Sequence, residues 1–163
     1  MNYIKIDKDN LLNGEGVRVV LWTAGCEHHC KNCHNKETWC ETNGTKFTNK
    51  TKEELYRELS KEYIAGLTLS GGDPLAPHKR EDIGKLVKGI KEKFPNKDIW
   101  CWTGYKWEEI QDLSLLKYID VLIDGEFVQE LYSPNLKWKG SSNQRVIDVQ
   151  KSLQENKVIL YCE

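Results

Sequence analysis

Three things are scarce in this sequence, and each scarcity closes off a class of function. The first is charge of one sign: 24 Lys and Arg stand against 25 Asp and Glu, a net −1 over 163 residues. A general polyanion binder or a basic membrane-surface protein carries a cationic excess, so bulk nucleic acid is not an expected partner. The second is the long apolar run. Nowhere does one approach the roughly 20 residues that cross a bilayer, and no membrane partner is expected either. The third is an apolar leader, because Met1-Asn2-Tyr3-Ile4-Lys5-Ile6-Asp7 lacks the stretch of a signal peptide. The expected location is therefore the cytoplasm. What the sequence does contain is six cysteines. In a reducing compartment these act as thiols, ligands or redox groups more often than as disulfides, and three of them, Cys26, Cys30 and Cys33, crowd together. The length suits a single domain, residues 1–163, able to bury a core without staples.

Along the chain, strand and helix signals alternate. Val17 to Trp22 is a β-branched run that stops at Thr23-Ala24-Gly25, so the cysteines fall on the loop after a strand. Thr51 and Glu54 have the spacing of a capping box, and Leu55, Tyr56, Leu59 and Tyr63 extend a helix over about 51–63. Gly66 to Ser70 reads as a second strand, broken by Gly71-Gly72-Asp73-Pro74. From Lys79 to Phe94 the apolar residues Ile83, Leu86, Val87, Ile90 and Phe94 mark one helical face, ended by Pro95. Asp98 to Thr103 is a third strand, Trp107 to Leu116 a helix, and Ile119 to Ile123 a fourth strand ending at Asp124-Gly125. Arg145 to Val149 and Val158 to Tyr161 suggest further strands around a short helix, while Ser133 to Asn143 reads as loop. Such alternation implies a mainly parallel α/β sheet whose ligands bind beyond the carboxyl ends of the strands. A closed eight-unit barrel takes about 250 residues. The expected fold is therefore a partial, open (β/α) barrel of five or six strands, with one side free for a large partner.

Cys26, Cys30 and Cys33 have the spacing C-x3-C-x2-C, which lets three thiolates wrap a single group from one loop. A cubane [4Fe–4S] cluster held by three cysteines leaves one iron without a protein ligand and open to a substrate. The same spacing also suits a structural zinc site, with Cys40, His28, His29 or His34 as fourth ligand, or a Cys30-x-x-Cys33 redox pair; by itself it divides evenly. Gly71-Gly72-Asp73-Pro74 tilts the balance, because glycines at a strand end let backbone groups approach a ligand and leave carbonyls free for an ammonium. Other residues have blander readings. Arg18 and Arg145 open strand-like segments and read first as salt-bridge partners. Trp100 and Trp102 alternate with Cys101 as on a strand buried on both faces, and Cys40, Cys101 and Cys162 read as non-ligand thiols, Cys101 a buried one.

The cysteine loop after the first strand and the Gly-Gly-Asp-Pro loop after the second together resemble the radical S-adenosylmethionine superfamily. Within it, Gly14-Glu15-Gly16-Val17-Arg18 and Cys33-His34-Asn35-Lys36-Glu37-Thr38-Trp39 are similar to the glycyl-radical activating enzymes. Cys101-Trp102-Thr103-Gly104-Tyr105, Asp120 to Phe127 and Gly140 to Asp148 resemble the activating proteins of anaerobic ribonucleoside-triphosphate reductase. The resemblance implies a [4Fe–4S] cluster on Cys26, Cys30 and Cys33. It implies reductive cleavage of S-adenosyl-L-methionine to methionine and a 5′-deoxyadenosyl radical, and abstraction of a glycine Cα hydrogen from the large reductase subunit. It places Gly71, Gly72 and Asp73 along the methionine moiety, Asn32 and His34 near adenine, and Thr103 and Asp124 at the ribose and methionine. A low-potential electron donor such as flavodoxin is implied as a second partner. One position departs from the pattern: Asn32 stands before the third cysteine where many members carry an aromatic residue, which leaves His34 or Trp39 to stack on adenine. The readings to separate are activation of another glycyl-radical enzyme, such as pyruvate formate-lyase, and a small zinc-binding interaction module.

Overall fold

The computed structural model describes residues 1–162 and contains one eight-stranded sheet. In chain order the elements are β1 (Asn2–Asn10), β2 (Val17–Thr23), β3 (Thr45–Lys46), α1 (Asn49–Leu59), β4 (Ile64–Gly71), α2 (Arg80–Lys93), β5 (Asp98–Trp102), α3 (Trp107–Ile110), β6 (Val121–Asp124), β7 (Arg145–Asp148), α4 (Val149–Glu155) and β8 (Leu160–Cys162). Across the sheet the order is β3-β1-β2-β4-β5-β6-β7-β8. β2, β4, β5 and β6 pair in parallel, whereas both flanks are antiparallel. The sheet is not closed, since β3 and β8 are its outer strands.

Three expectations are corrected. Five or six mainly parallel strands become eight, of which only the middle four are parallel. β1 was not foreseen: Asn2–Asn10 mixes Lys and Asp with its isoleucines, and it is held by antiparallel pairing to β2, with Asp7 accepting the Trp22 indole N–H at 2.7 Å. The first helix starts earlier than 51–63 and stops at Leu59, because Thr48 is its N-cap and exchanges capping bonds with Thr51. The segment from Trp107 to Leu116 is not one helix but the short α3 followed by a 3-10 turn over Ser114–Tyr118.

The two sheet faces differ in what covers them. On one, Leu55 and Leu59 of α1 and Ile83, Leu86, Val87 and Ile90 of α2 pack against Val19, Leu21, Leu67, Leu69, Ile99 and Cys101 in the main core. Strand side chains alternate between faces, so the neighbouring positions form a second cluster of Trp100, Val121, Ile123 and Val146, flanked by Trp102 and Trp138. Register then fixes the functional edge. Thr23 pairs with Gly71, Leu69 with Cys101, and Trp102 with Ile123. The loops that follow β2, β4, β5 and β6 therefore emerge side by side.

Candidate metal centre

The cysteine loop leaves β2 at Ala24 and Gly25 and is braced from behind by its own continuation. Gly25 N–H donates to Thr38 O at 2.7 Å and Cys26 N–H to Trp39 O at 3.0 Å, with the 3-10 turn Lys36–Thr38 between the two acceptors. Buried Thr38 donates its hydroxyl to Asn35 O, and the Asn35 amide points at Cys33 Sγ, 3.4 Å away. Tight turning within the loop places Gly25, His29 and Asn32 at positive φ. Asn adopts the left-handed region more readily than aromatic residues do, which gives a backbone reason for Asn32 where an aromatic side chain was the resemblance's norm.

Gly71 and Gly72 serve the same junction. Gly71 has φ +101°, and a Cβ on Gly72 would stand 2.5 Å from Gly25 O. Gly72 N–H donates to Thr23 O and Asp73 N–H to Gly25 O, at 2.8 and 2.9 Å. The glycine pair thus exists first because two backbones touch. Asp73 is buried and fully engaged: it accepts from Leu75 N–H, the Thr103 hydroxyl, Gly104 N–H and the His28 ring at 2.7–2.9 Å. His28 bonds Asp73 through Nε2 and Glu126 through Nδ1, and packs edge-on against Tyr105. These two carboxylates, Asp73 foremost, push its pKa up to about 9.

A cavity of about 160 Å³ lies over this junction, lined by Cys26, His28, Cys30, Asn35, Ser70, Gly71, Gly72, Asp73, Trp102, Thr103, Gly104, Gly125, Phe127 and Gln144. Gln144 shapes its far wall, accepting from Gly140 and Ser141 amides and donating to Gly125 O at 2.9 Å. Four sequence-derived site residues, Gly71, Gly72, Asp73 and Thr103, are brought together here with Cys26 and Cys30. Cys33 is half-buried but outside the lining, and Asn32 and His34 are exposed and also outside it; His34 meets Phe127 edge-on at 6.2 Å. Asp124 turns away from the cavity. It accepts from Trp107 N–H and pairs with Arg145 at 2.5 Å, and Arg145 continues to Glu108.

The donor set fits a cluster with an incomplete protein shell. Cys26, Cys30 and Cys33 are free thiols, half-buried on one loop. Burial foremost pushes the Cys26 and Cys30 thiols up, and neighbouring anions add to the shift, so a metal must displace protons to bind. No cysteine outside this loop lines the cavity: Cys40 is exposed beside Thr42, Cys101 is sealed in the helix-side core, and Cys162 lies on β8. Among the described residues no three Cys, His, Asp or Glu side chains converge as ligands of one metal ion.

Two contributors escaped the sequence reading. His28 was weighed only as a zinc ligand. Lys79 is wholly buried, donating to Thr23 Oγ1 at 3.1 Å, Ala24 O at 2.5 Å and Gly25 O at 2.8 Å. Its place four residues before Ile83, on the apolar stripe of the following helix, was the available signal.

Residues 12–147 match the family model of the 4Fe-4S single cluster domain. At the level of whole proteins, the chain is 53% identical over 146 residues to the anaerobic ribonucleoside-triphosphate reductase-activating protein of Enterobacteria phage T4, covering 90% of this chain and 93% of that relative. Proteins of the same name from Haemophilus influenzae and Escherichia coli K12 are 45% and 44% identical, over 88% and 90% of this chain and 96% and 97% of theirs. The chain belongs to the family of anaerobic ribonucleoside-triphosphate reductase-activating proteins, within the 4Fe-4S single cluster domains.

Proposed function

We propose that this protein activates anaerobic ribonucleoside-triphosphate reductase by generating its glycyl radical, using a [4Fe–4S] cluster held by Cys26, Cys30 and Cys33. The observation that carries the reading is the junction itself. One register brings the three-thiol loop after β2 against Gly71-Gly72-Asp73 after β4, so a metal group and a small ligand would share one wall. When bound, the cluster supplies one electron to S-adenosyl-L-methionine, whose cleavage gives methionine and the 5′-deoxyadenosyl radical that takes the glycine hydrogen.

The chain's own residues bind and orient. The strand-end backbone at Gly71 and Gly72 approaches the methionine part, its carbonyls free to accept from the ammonium. Asp73 acts by order: with its oxygens committed to Thr103, Gly104 and His28, it locks the loops after β4 and β5 to the cysteine loop. Thr103 contributes from the same wall. His34 and the adjoining Phe127 offer the aromatic edge for adenine that Asn32 does not supply. Asp124, committed to Trp107 and Arg145, bears on the ribose end only by ordering the loop that carries Gly125 into the cavity wall. We read the unclosed sheet as the open barrel anticipated from chain length, with its free side facing the reductase. A low-potential donor of the flavodoxin kind and a cytoplasmic setting complete the proposal; no helix of the described residues is long and apolar enough to cross a membrane.

Anaerobic reconstitution with iron and sulfide, reduction, and mixing with S-adenosyl-L-methionine and either the reductase or pyruvate formate-lyase tests this. The expected result is a glycyl-radical signal by electron paramagnetic resonance on the reductase. A signal on pyruvate formate-lyase alone would reassign the target. A colourless protein carrying a single zinc would overturn the reading.

A further inference from the structure

Lys79 is, among the described residues, the one lysine sealed completely from solvent. Its three N–H donors are all used, and all three go to the last residues before Cys26: Thr23 Oγ1, Ala24 O and Gly25 O. None goes to a carboxylate. The acids and thiols whose charges act on it from a distance are, in decreasing order, Asp73, Cys26, Cys101 and Glu41. Asp73 is already bonded to His28, Thr103 and Gly104, and Glu41 is an exposed residue that lies 3.5 Å from His78. Neutral carbonyls satisfy the hydrogen bonds of a buried ammonium but not its charge, and a buried charge without a counter-charge is strongly unfavourable. Burial accordingly pushes the Lys79 pKa down to about 8 in the protein as it stands.

Such a group calls for an anion close by. Three thiolates on a [4Fe–4S] core leave a net negative unit, which gains a further negative charge on reduction. We propose that Lys79 is a positioning residue for the cluster: its ammonium fixes the backbone leading into Cys26 and serves as the buried counter-charge that raises the cluster's reduction potential. A fixed cation favours the more negative, reduced state, and through-protein electrostatics are an established lever on cluster potential. The cluster thereby comes within reach of its electron donor. This inference rests on the cluster assignment proposed above.

The test uses the reconstituted full chain and three variants at this position. Lys79→Gln keeps two N–H donors without the charge, Lys79→Met removes both, and Lys79→Arg keeps the charge. Midpoint potentials come from redox titration followed by electron paramagnetic resonance, and denaturant unfolding of the metal-free proteins is measured alongside. Lys79→Gln and Lys79→Met should both shift the potential to more negative values, with Lys79→Arg lying closer to the unaltered protein. Lys85→Gln, at an exposed lysine paired with Glu81, should leave it unchanged. Without metal, Lys79→Gln, which keeps donors and relieves the buried charge, should unfold near the unaltered protein, whereas Lys79→Met should unfold at a lower denaturant concentration because it leaves the Thr23 hydroxyl and the Ala24 and Gly25 carbonyls without a donor. Unchanged potentials in the neutral variants would overturn the proposal. So would a Lys79→Gln variant that fails to fold without metal, since the charge itself would then serve the scaffold. An unaltered protein that takes up no cluster would instead refute the functional reading.

Discussion

The two ends of β2 each bury a cation, and they treat it oppositely. At the entry, Arg18 is sealed against solvent, pairs with Asp98 at 2.7 Å, donates to Thr68 Oγ1, Leu67 O and Glu15 O, and lies over the Trp100 ring. Its charge is answered from within the chain. At the exit, Lys79 is equally buried but meets only a hydroxyl and two carbonyls. A compensated ion in a core belongs to the scaffold, and its removal is felt as lost stability. One without an ion-pair partner, set against the residues that lead into Cys26, marks where the fold leaves room for a partner charge.

That contrast can be broken in several ways. The largest effect is expected at the thiols: replacing any one of Cys26, Cys30 or Cys33 by Ala should abolish iron retention and cofactor cleavage, read by iron content and methionine release. Full activity in any of the three would mean that the ligand assignment is wrong. Next comes Arg18→Leu, which strands Asp98, Thr68 and two carbonyls. It should destabilise the metal-free protein by about 3–5 kcal/mol in urea unfolding, whereas Lys79→Gln, which removes the charge but keeps two donors, should cost little; equal losses would erase the distinction between the two ends. Gly72→Ala follows. Its Cβ meets the Gly25 carbonyl at 2.5 Å, backbone against backbone, and a loss of about 1–3 kcal/mol is expected.

A further effect is in pH. A lysine whose folded pKa lies near 8, against 10.5 for an ordinary lysine, binds fewer protons in the native than in the unfolded state between those values. Its penalty is fully present below about pH 8 and is relieved as pH rises towards 10.5. The metal-free protein should therefore gain stability relative to Lys79→Met across that window. A difference that stays constant would place the Lys79 charge elsewhere.

The parallel middle of the sheet was legible because β2, β4, β5 and β6 are short apolar runs that each end at a glycine or a small-residue turn. Of the antiparallel flanks, β7 and β8 were legible as strands around a short helix, whereas β1 and β3 were not. β1 carries Lys5, Asp7, Lys8 and Asp9 and gains its strand character from β2 rather than from its own pattern. Within the site, the cysteines and Gly71-Gly72 announced themselves by spacing, although the glycines turned out to serve backbone contact with Thr23 and Gly25 as much as any ligand. Asp73 looked like a ligand contact and proved to be the tie among three loops. His28 and Lys79 stayed hidden because a histidine between cysteines and a lysine before a basic helix both have commoner explanations. Arg18, read as a surface salt bridge, formed its ion pair in the interior. In each case the deciding information is which long-range partner arrives, and composition and period do not carry it.

The central claim is that three thiolates leave one iron of a [4Fe–4S] cluster open to the methionine end of S-adenosyl-L-methionine. The most direct measurement is the electron paramagnetic resonance spectrum of the reduced, reconstituted protein before and after that cofactor is added, with iron and sulfide quantified on the same sample. Four irons per chain and a signal that changes shape on addition are predicted, in line with a cubane bearing one accessible iron. A spectrum unmoved by the cofactor, at full cluster loading, would contradict the account.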